Sequence, residues 1–67
     1  MITKIGIVAG EIWHTLDRNS GQARFTTLKN ETRQDEHLLL MSLGWLAREG
    51  HVVLEGSYPE LTVSLRK

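Results

Sequence analysis

The fold of this chain is decided by the stretch DEHLLLMSLGWLAREGHVVLEGSYPELTVSL, residues 35–65, in which the spacing of the apolar residues changes. The first part is typical of a helix, since Asp35 is a good N-cap, Glu36 suits the positive end of the helix dipole and Gly50 is a natural C-terminal stop. After Gly50 the apolar residues alternate with other residues at the two-residue period of a strand. The stretch therefore predicts a helix from Asp35 to Gly50 that is followed by a β-hairpin.

The predicted hairpin consists of two alternating segments, residues 52–55 and 61–66, joined by the connection GSYPE at residues 56–60. Gly56 and Pro59 are the residue types that such a connection needs. Because successive side chains of a strand point to opposite faces, every second residue should face the core. The residues expected to point inward are Val52, Leu54, Leu61, Val63 and Leu65.

Toward the N-terminus, the sequence predicts a first helix from Thr3 to Asp17. Apolar residues at spacings i, i+3, i+4, i+7 and i+11 begin at Ile5 and end at Leu16, so they lie on one helical face. The sequence NSG at residues 19–21 should end this helix, because Asn and Gly accept the left-handed conformation that follows a helix C-terminus.

Two short elements are predicted between the first helix and Asp35. Phe25 is the expected inward residue of a strand, and Leu28 is the expected core anchor of a second helix that is capped by a threonine. These elements are a brief strand from Gln22 to Phe25, a helix from Thr26 or Thr27 through Thr32, and a turn at Arg33 and Gln34.

The resulting order of elements is helix, short strand, helix, turn, helix and hairpin, which is the layout of a winged helix-turn-helix. More specifically, residues 35–50 together with the opening IVAGEIW, residues 7–13, resemble a family of small stand-alone bacterial winged-helix domains of unknown function. The resemblance covers nearly the whole chain and implies a single α+β domain over residues 1–67, with three helices and a small antiparallel sheet. It also implies a nominal link to DNA-binding and transcription-related proteins, but it supplies no catalytic motif. Much of the core is expected to consist of Leu16, Phe25, Leu28, Leu39, Leu43, Leu46, Val52, Leu54, Leu61 and Val63.

Composition narrows the classes of function. The chain has 67 residues, eight basic and eight acidic, so it lacks the strongly basic balance that is usual for nucleic-acid binders. It has no cysteine, which excludes disulfides, thiolate-bound metal and a thiol nucleophile. Its three histidines lie on different predicted elements without the spacing of zinc sites, and no phosphate loop or nucleophile elbow is present. We therefore expect a soluble cytoplasmic protein without membrane association, metal, cofactor or catalytic residues, and not an enzyme.

DNA binding is one of two functional hypotheses, and it meets an electrostatic difficulty. In a helix-turn-helix the third helix lies in the major groove, where Arg, Lys, Asn and Gln supply most base contacts. Residues 31–60 instead hold six acidic residues against two basic ones. A DNA-binding regulator would therefore contact phosphates through Arg24, Lys29 and Arg33 around the second helix. The groove-facing positions of the third helix, none of which is Arg, Lys, Asn or Gln, would be Asp35, Glu36, His37, Leu40, Met41 and Gly44.

Protein interaction is the second and leading hypothesis, because the third helix is apolar almost all round. On a helical wheel Leu39, Leu43 and Leu46 form the core face. The opposite side should then present an apolar patch, and such patches usually mark association sites. We predict that this patch makes a homodimer interface, unless the first helix and the hairpin cover part of it within the monomer. The predicted interface residues are Leu40, Met41, Gly44 and Trp45.

Overall fold

The computed structural model describes the backbone of residues 2–66 and the side chains of residues 3–66. The predicted order of three helices, a short strand and a C-terminal hairpin is confirmed. The elements are α1 (Ile2–Arg18), β1 (Gln22–Arg24), α2 (Phe25–Thr32), α3 (Glu36–Arg48), β2 (Val52–Glu55) and β3 (Thr62–Leu65).

Helix α1 buries the apolar stripe that predicted it and ends where expected. Val8, Ala9, Ile12 and Leu16 are all buried, and Ile5 packs partly buried against them. Residues 20 and 21 both have a positive φ, of 64° and 88°, so the chain turns away through left-handed backbone. The predicted stop at residues 19–21 is therefore confirmed.

Helix α2 begins one or two residues earlier than predicted, and it has no threonine cap. Phe25 is its first residue, and Arg24 at the N-cap position makes no side-chain capping hydrogen bond. The physical reason lies in the sheet, since the backbone N–H of Phe25 donates to the carbonyl of Leu61 at 2.8 Å. A partner distant in sequence thus satisfies an amide at the start of the helix, and β1 leads directly into α2.

Helix α3 has the N-cap that the sequence predicted. The carboxylate of Asp35 accepts a hydrogen bond from the backbone N–H of Leu38 at 3.2 Å. At the other end, Gly50 has a φ of 78°, and the N–H of His51 donates to the carbonyl of Leu46 at 2.9 Å. A left-handed glycine followed by this backbone bond is the usual way in which a helix ends.

The sheet is antiparallel throughout, with strand order β1-β3-β2. Val63 occupies the central strand opposite Ala23 and Leu54 and is fully buried. The prediction that Leu54 belongs to the core is wrong, because 36% of it is exposed. Strand β2 is an edge strand, and only Val52, which closely follows α3, reaches the core.

The core lies between the helices and the sheet. Leu61, which was predicted to belong to the core, is half-buried and packs against the core from its rim. In the part of the chain that the structure describes, no buried side-chain nitrogen or oxygen lacks a hydrogen-bond partner. The predicted core residues that are buried are Leu16, Phe25, Leu28, Leu39, Leu43, Leu46, Val52 and Val63.

Candidate interaction surface on helix α3

The side of α3 that faces away from the core forms one exposed stripe, which we call the outer face. Its two large apolar side chains are 44% exposed at Met41 and 46% exposed at Trp45. On the opposite side of the same helix, Leu39 and Leu43 are almost completely buried. The outer face consists of His37, Met41, Gly44, Trp45 and Arg48, all of which are exposed.

Gly44 leaves a bare stretch of helix backbone in the middle of this face. A Cβ added at this position would meet no atom within 4 Å. A glycine inside a helix costs up to about 1 kcal/mol relative to alanine, so it destabilises α3 without relieving any steric contact within the monomer. The surface beside Met41 and Trp45 is consequently open to close approach by another molecule.

Leu40 does not lie on the outer face, although the sequence grouped it with the predicted interface. It is half-buried and packs against the core cluster. The monomer therefore covers Leu40 in part but leaves Met41 exposed. The structure keeps Met41, Gly44 and Trp45 on one accessible surface.

The two ends of the outer face carry opposite charge. At the N-terminal end the side chain of Asp35 is 68% exposed, and its Oδ2 lies 3.8 Å from Nδ1 of His37. At the C-terminal end Arg48 is exposed in the last turn of α3. The apolar centre is thus bounded by a carboxylate on one side and a guanidinium on the other.

The three basic residues proposed to contact phosphates are spread along α2. Arg24 and Arg33 lie at the N-cap and C-cap of α2, roughly 13 Å apart along the helix axis. Lys29 lies between them, but its Nζ donates to Oε1 of Glu36 at 2.9 Å. The central cation of the three is therefore paired with a neighbouring carboxylate, although 49% of its side chain stays exposed.

A polar groove between α1 and α2 was not predicted from the sequence. Across it Nη2 of Arg18 lies 3.7 Å from Oε1 of Glu31, and nearby Nε2 of Gln34 donates to Oε1 of Glu11 at 2.9 Å. These partners are far apart in sequence, so no local pattern could reveal them. The groove has a volume of about 400 Å³ and is lined by Glu11, His14, Thr15, Arg18, Glu31 and Thr32.

A second groove, also of about 400 Å³, lies where the loop between β2 and β3 meets the start of α2. Arg24 and Glu60 provide its charged walls. Next to it Tyr58 packs edge-on against Phe25 with ring centroids 5.5 Å apart, although half of Tyr58 remains exposed. Neither groove brings three metal-ligating side chains together among the described residues.

None of the helices between residues 2 and 66 is both long and apolar enough to cross a membrane.

Three helices packed on a small three-stranded antiparallel sheet with a C-terminal hairpin define a winged helix-turn-helix domain. A family model described as a winged helix-turn-helix domain (DUF2582) matches residues 1–65, and the chain belongs to this family. The solution NMR structure of protein BT2368 from Bacteroides thetaiotaomicron is similar, with a TM-score of 0.76 and 25% sequence identity. The match covers 94% of this chain and 76% of that one. No curated protein matches the chain.

Proposed function

We propose that this winged-helix domain is a non-enzymatic module that acts through protein contacts and associates with itself through the outer face of α3. The observation that carries the proposal is the pair of exposed apolar side chains, Met41 and Trp45, on either side of the bare backbone at Gly44. Methionine adapts to irregular surfaces, and tryptophan is a common anchor of interfaces. The helix that reads the major groove in many relatives of this fold thus has an apolar centre here.

The strength of such an association follows from the exposed area that it would remove from water. Full burial of a large apolar side chain contributes about 1.5 to 3 kcal/mol, and Met41 and Trp45 are already a little more than half buried. Each therefore adds on the order of 1 kcal/mol, or about 4 kcal/mol for two copies of both. This is a gross contact free energy, from which the translational and rotational freedom lost on association must be subtracted, so these two residues alone support at most a weak dimer.

DNA binding is the second candidate, and the observation that favours it is the family itself, since winged helix-turn-helix domains commonly bind DNA. Against it stand the pairing of Lys29 with Glu36 and the exposed carboxylate of Asp35 at the start of α3, which would face phosphates. Arg48 is the one permanent cation of the outer face. Phosphate contacts would leave a steep salt dependence of binding, whereas a protein-interaction module would not.

The experiment that separates these functions uses the variant Met41→Glu, with Asn30→Glu on the exposed surface of α2 as a matched control. A buried unpaired carboxylate costs several kcal/mol, so Met41→Glu should abolish self-association while its helical circular dichroism is unchanged. Asn30→Glu should associate like the wild type.

The proposal would be refuted by a Met41→Glu variant that associates like the wild type. Loss of the helical signal would instead mean that Met41 supports the fold of the monomer. A wild type that binds generic duplex DNA with a steep salt dependence, and loses affinity in Met41→Glu without a change in mass, would favour the DNA-binding alternative.

A further inference from the structure

The outer face of α3 has the residue spacing of a helix–helix seam. His37, Met41, Gly44 and Arg48 follow one another at intervals of four, three and four residues, which is the alternation of the d and a positions in a heptad repeat. All four are exposed, so no other element among the described residues 2–66 covers this face. Of the four residues only Met41 is apolar, but a second helix with the same spacing can match this face position by position.

The order of these four residues favours antiparallel pairing of two α3 helices. Their positions are symmetric about the midpoint between Ser42 and Leu43, so a twofold axis through that point brings His37 level with Arg48 of a second copy. The same axis brings Met41 level with Gly44 of the second copy. We propose that two copies of this chain pair through antiparallel α3 helices in this register, a proposal that rests on the self-association proposed above.

The apolar centre of the face fits this register. Gly44 has open space where a side chain would stand, and Met41 is a flexible side chain that can lie across it. Because of the twofold axis this contact occurs twice, with Met41 of each copy lying on Gly44 of the other. Helices that cross at a glycine can approach to the short end of the usual range of about 8–10 Å.

The charges at the two ends also favour the antiparallel direction. Arg48 of each copy would lie beside the exposed carboxylate of Asp35 and the ring of His37 in the other copy. In a parallel pair, two copies of Arg48 would meet instead, and the two helix dipoles would be aligned. The formal net charge of zero means that two copies do not repel one another as wholes.

Disulfide trapping tests the register, and the absence of natural cysteine makes the experiment clean. The variants His37→Cys and Arg48→Cys change exposed side chains, and Asn30→Cys on α2 is the control. Mixed in equal amounts under mild oxidation, the first two should form mostly the mixed disulfide dimer. Each alone should form little, because two copies of residue 37 would be roughly 16 Å apart along the axis, too far for a disulfide.

A second variant, His37→Glu, should change the dissociation constant in opposite senses for an antiparallel and a parallel pair of helices. In the antiparallel register His37→Glu places a carboxylate opposite Arg48 of the second copy, and the dissociation constant should fall about two- to five-fold. In a parallel pair the same substitution brings two carboxylates together and should weaken association. Sedimentation equilibrium measures the change, and circular dichroism checks that the helix persists.

The outcomes distinguish this register from the self-association on which it rests. Preferential mixed disulfide formation and tighter association of His37→Glu support the antiparallel pairing. A wild type that dimerises but yields the disulfide of His37→Cys with itself, or no excess over Asn30→Cys, overturns the register and leaves self-association standing. A wild type that stays monomeric up to about 1 mM overturns both.

Discussion

Gly44 has opposite effects in the monomer and in the proposed dimer. It destabilises helix α3 of the monomer, but it leaves room for contact between the two copies. In the monomer it is an exposed helical glycine with empty space around it, and an alanine would hold the helix better. In the proposed dimer the same empty space would receive Met41 of the second copy. Because Gly44 destabilises the monomer and is needed for the proposed dimer, substitutions at this position test the proposed pairing.

Replacing Gly44 by alanine should therefore have two effects of opposite sign. The free energy of unfolding at low protein concentration should rise by about 0.5 to 1 kcal/mol, because alanine restricts the unfolded chain and favours helix. The dissociation constant of the dimer should rise several-fold, because the new Cβ displaces Met41. Urea denaturation and sedimentation equilibrium measure the two effects.

Gly10→Ala is the matched control for this pair of measurements. Gly10 is also an exposed helical glycine whose added Cβ would meet nothing within 4 Å, but it lies on α1. It should raise stability by a similar amount and leave association unchanged. If Gly44→Ala tightened the dimer, the close approach at this position would be wrong.

Helix α3 is the element that joins fold and proposed function, with one face in the core and the other in solvent. The change of apolar spacing after Gly50 and the capping by Asp35 are local features, so the sequence could predict α3 and the hairpin. The start of α2 could not be predicted, because its first amide is satisfied by Leu61 from a distant part of the chain.

The sequence could predict most of the outer face of α3, because it could predict the helix itself. The wheel placed Met41, Gly44 and Trp45 on or beside the outer side of α3, and the structure exposes all three. Leu40 lies at the edge of that side, and a wheel for one helix cannot show that neighbouring elements half-bury it. Whether the surface binds a second copy stays a prediction.

Truncating one side chain on each face of α3 should change the free energy of unfolding by different amounts. Leu39→Ala removes a fully buried side chain and should lower the free energy of unfolding by about 2 to 5 kcal/mol. Met41→Ala removes a half-exposed side chain from the same helix and should lower the stability of the dilute monomer by no more than about 1 kcal/mol. Chemical denaturation of both variants checks this, and equal losses would show that Met41 belongs to the core.

At the scale of the whole molecule, the balance of acidic and basic residues sets the electrostatic repulsion between two copies. Basic and acidic residues are equal in number and the sequence pI is about 6.8, so net repulsion between copies is smallest close to neutral pH. Small net charge together with an exposed apolar face promotes association.

Raising the pH to about 8.5 should therefore weaken association and improve solubility, because the molecule moves above its pI and becomes negatively charged. The effect should be largest at low salt, where screening is weakest. Light scattering at matched protein concentrations measures it. A sample that is strictly monomeric at pH 7, and no more soluble at pH 8.5, would contradict this expectation.

Sedimentation equilibrium of the wild type up to about 1 mM at pH 7 tests whether the outer face of α3 joins two copies of the domain. We expect a concentration-dependent shift from the 7.6 kDa monomer toward a dimer, and no shift for Met41→Glu over the same range. A wild type that keeps the monomer mass at every concentration, or a Met41→Glu variant that shifts equally, would contradict it.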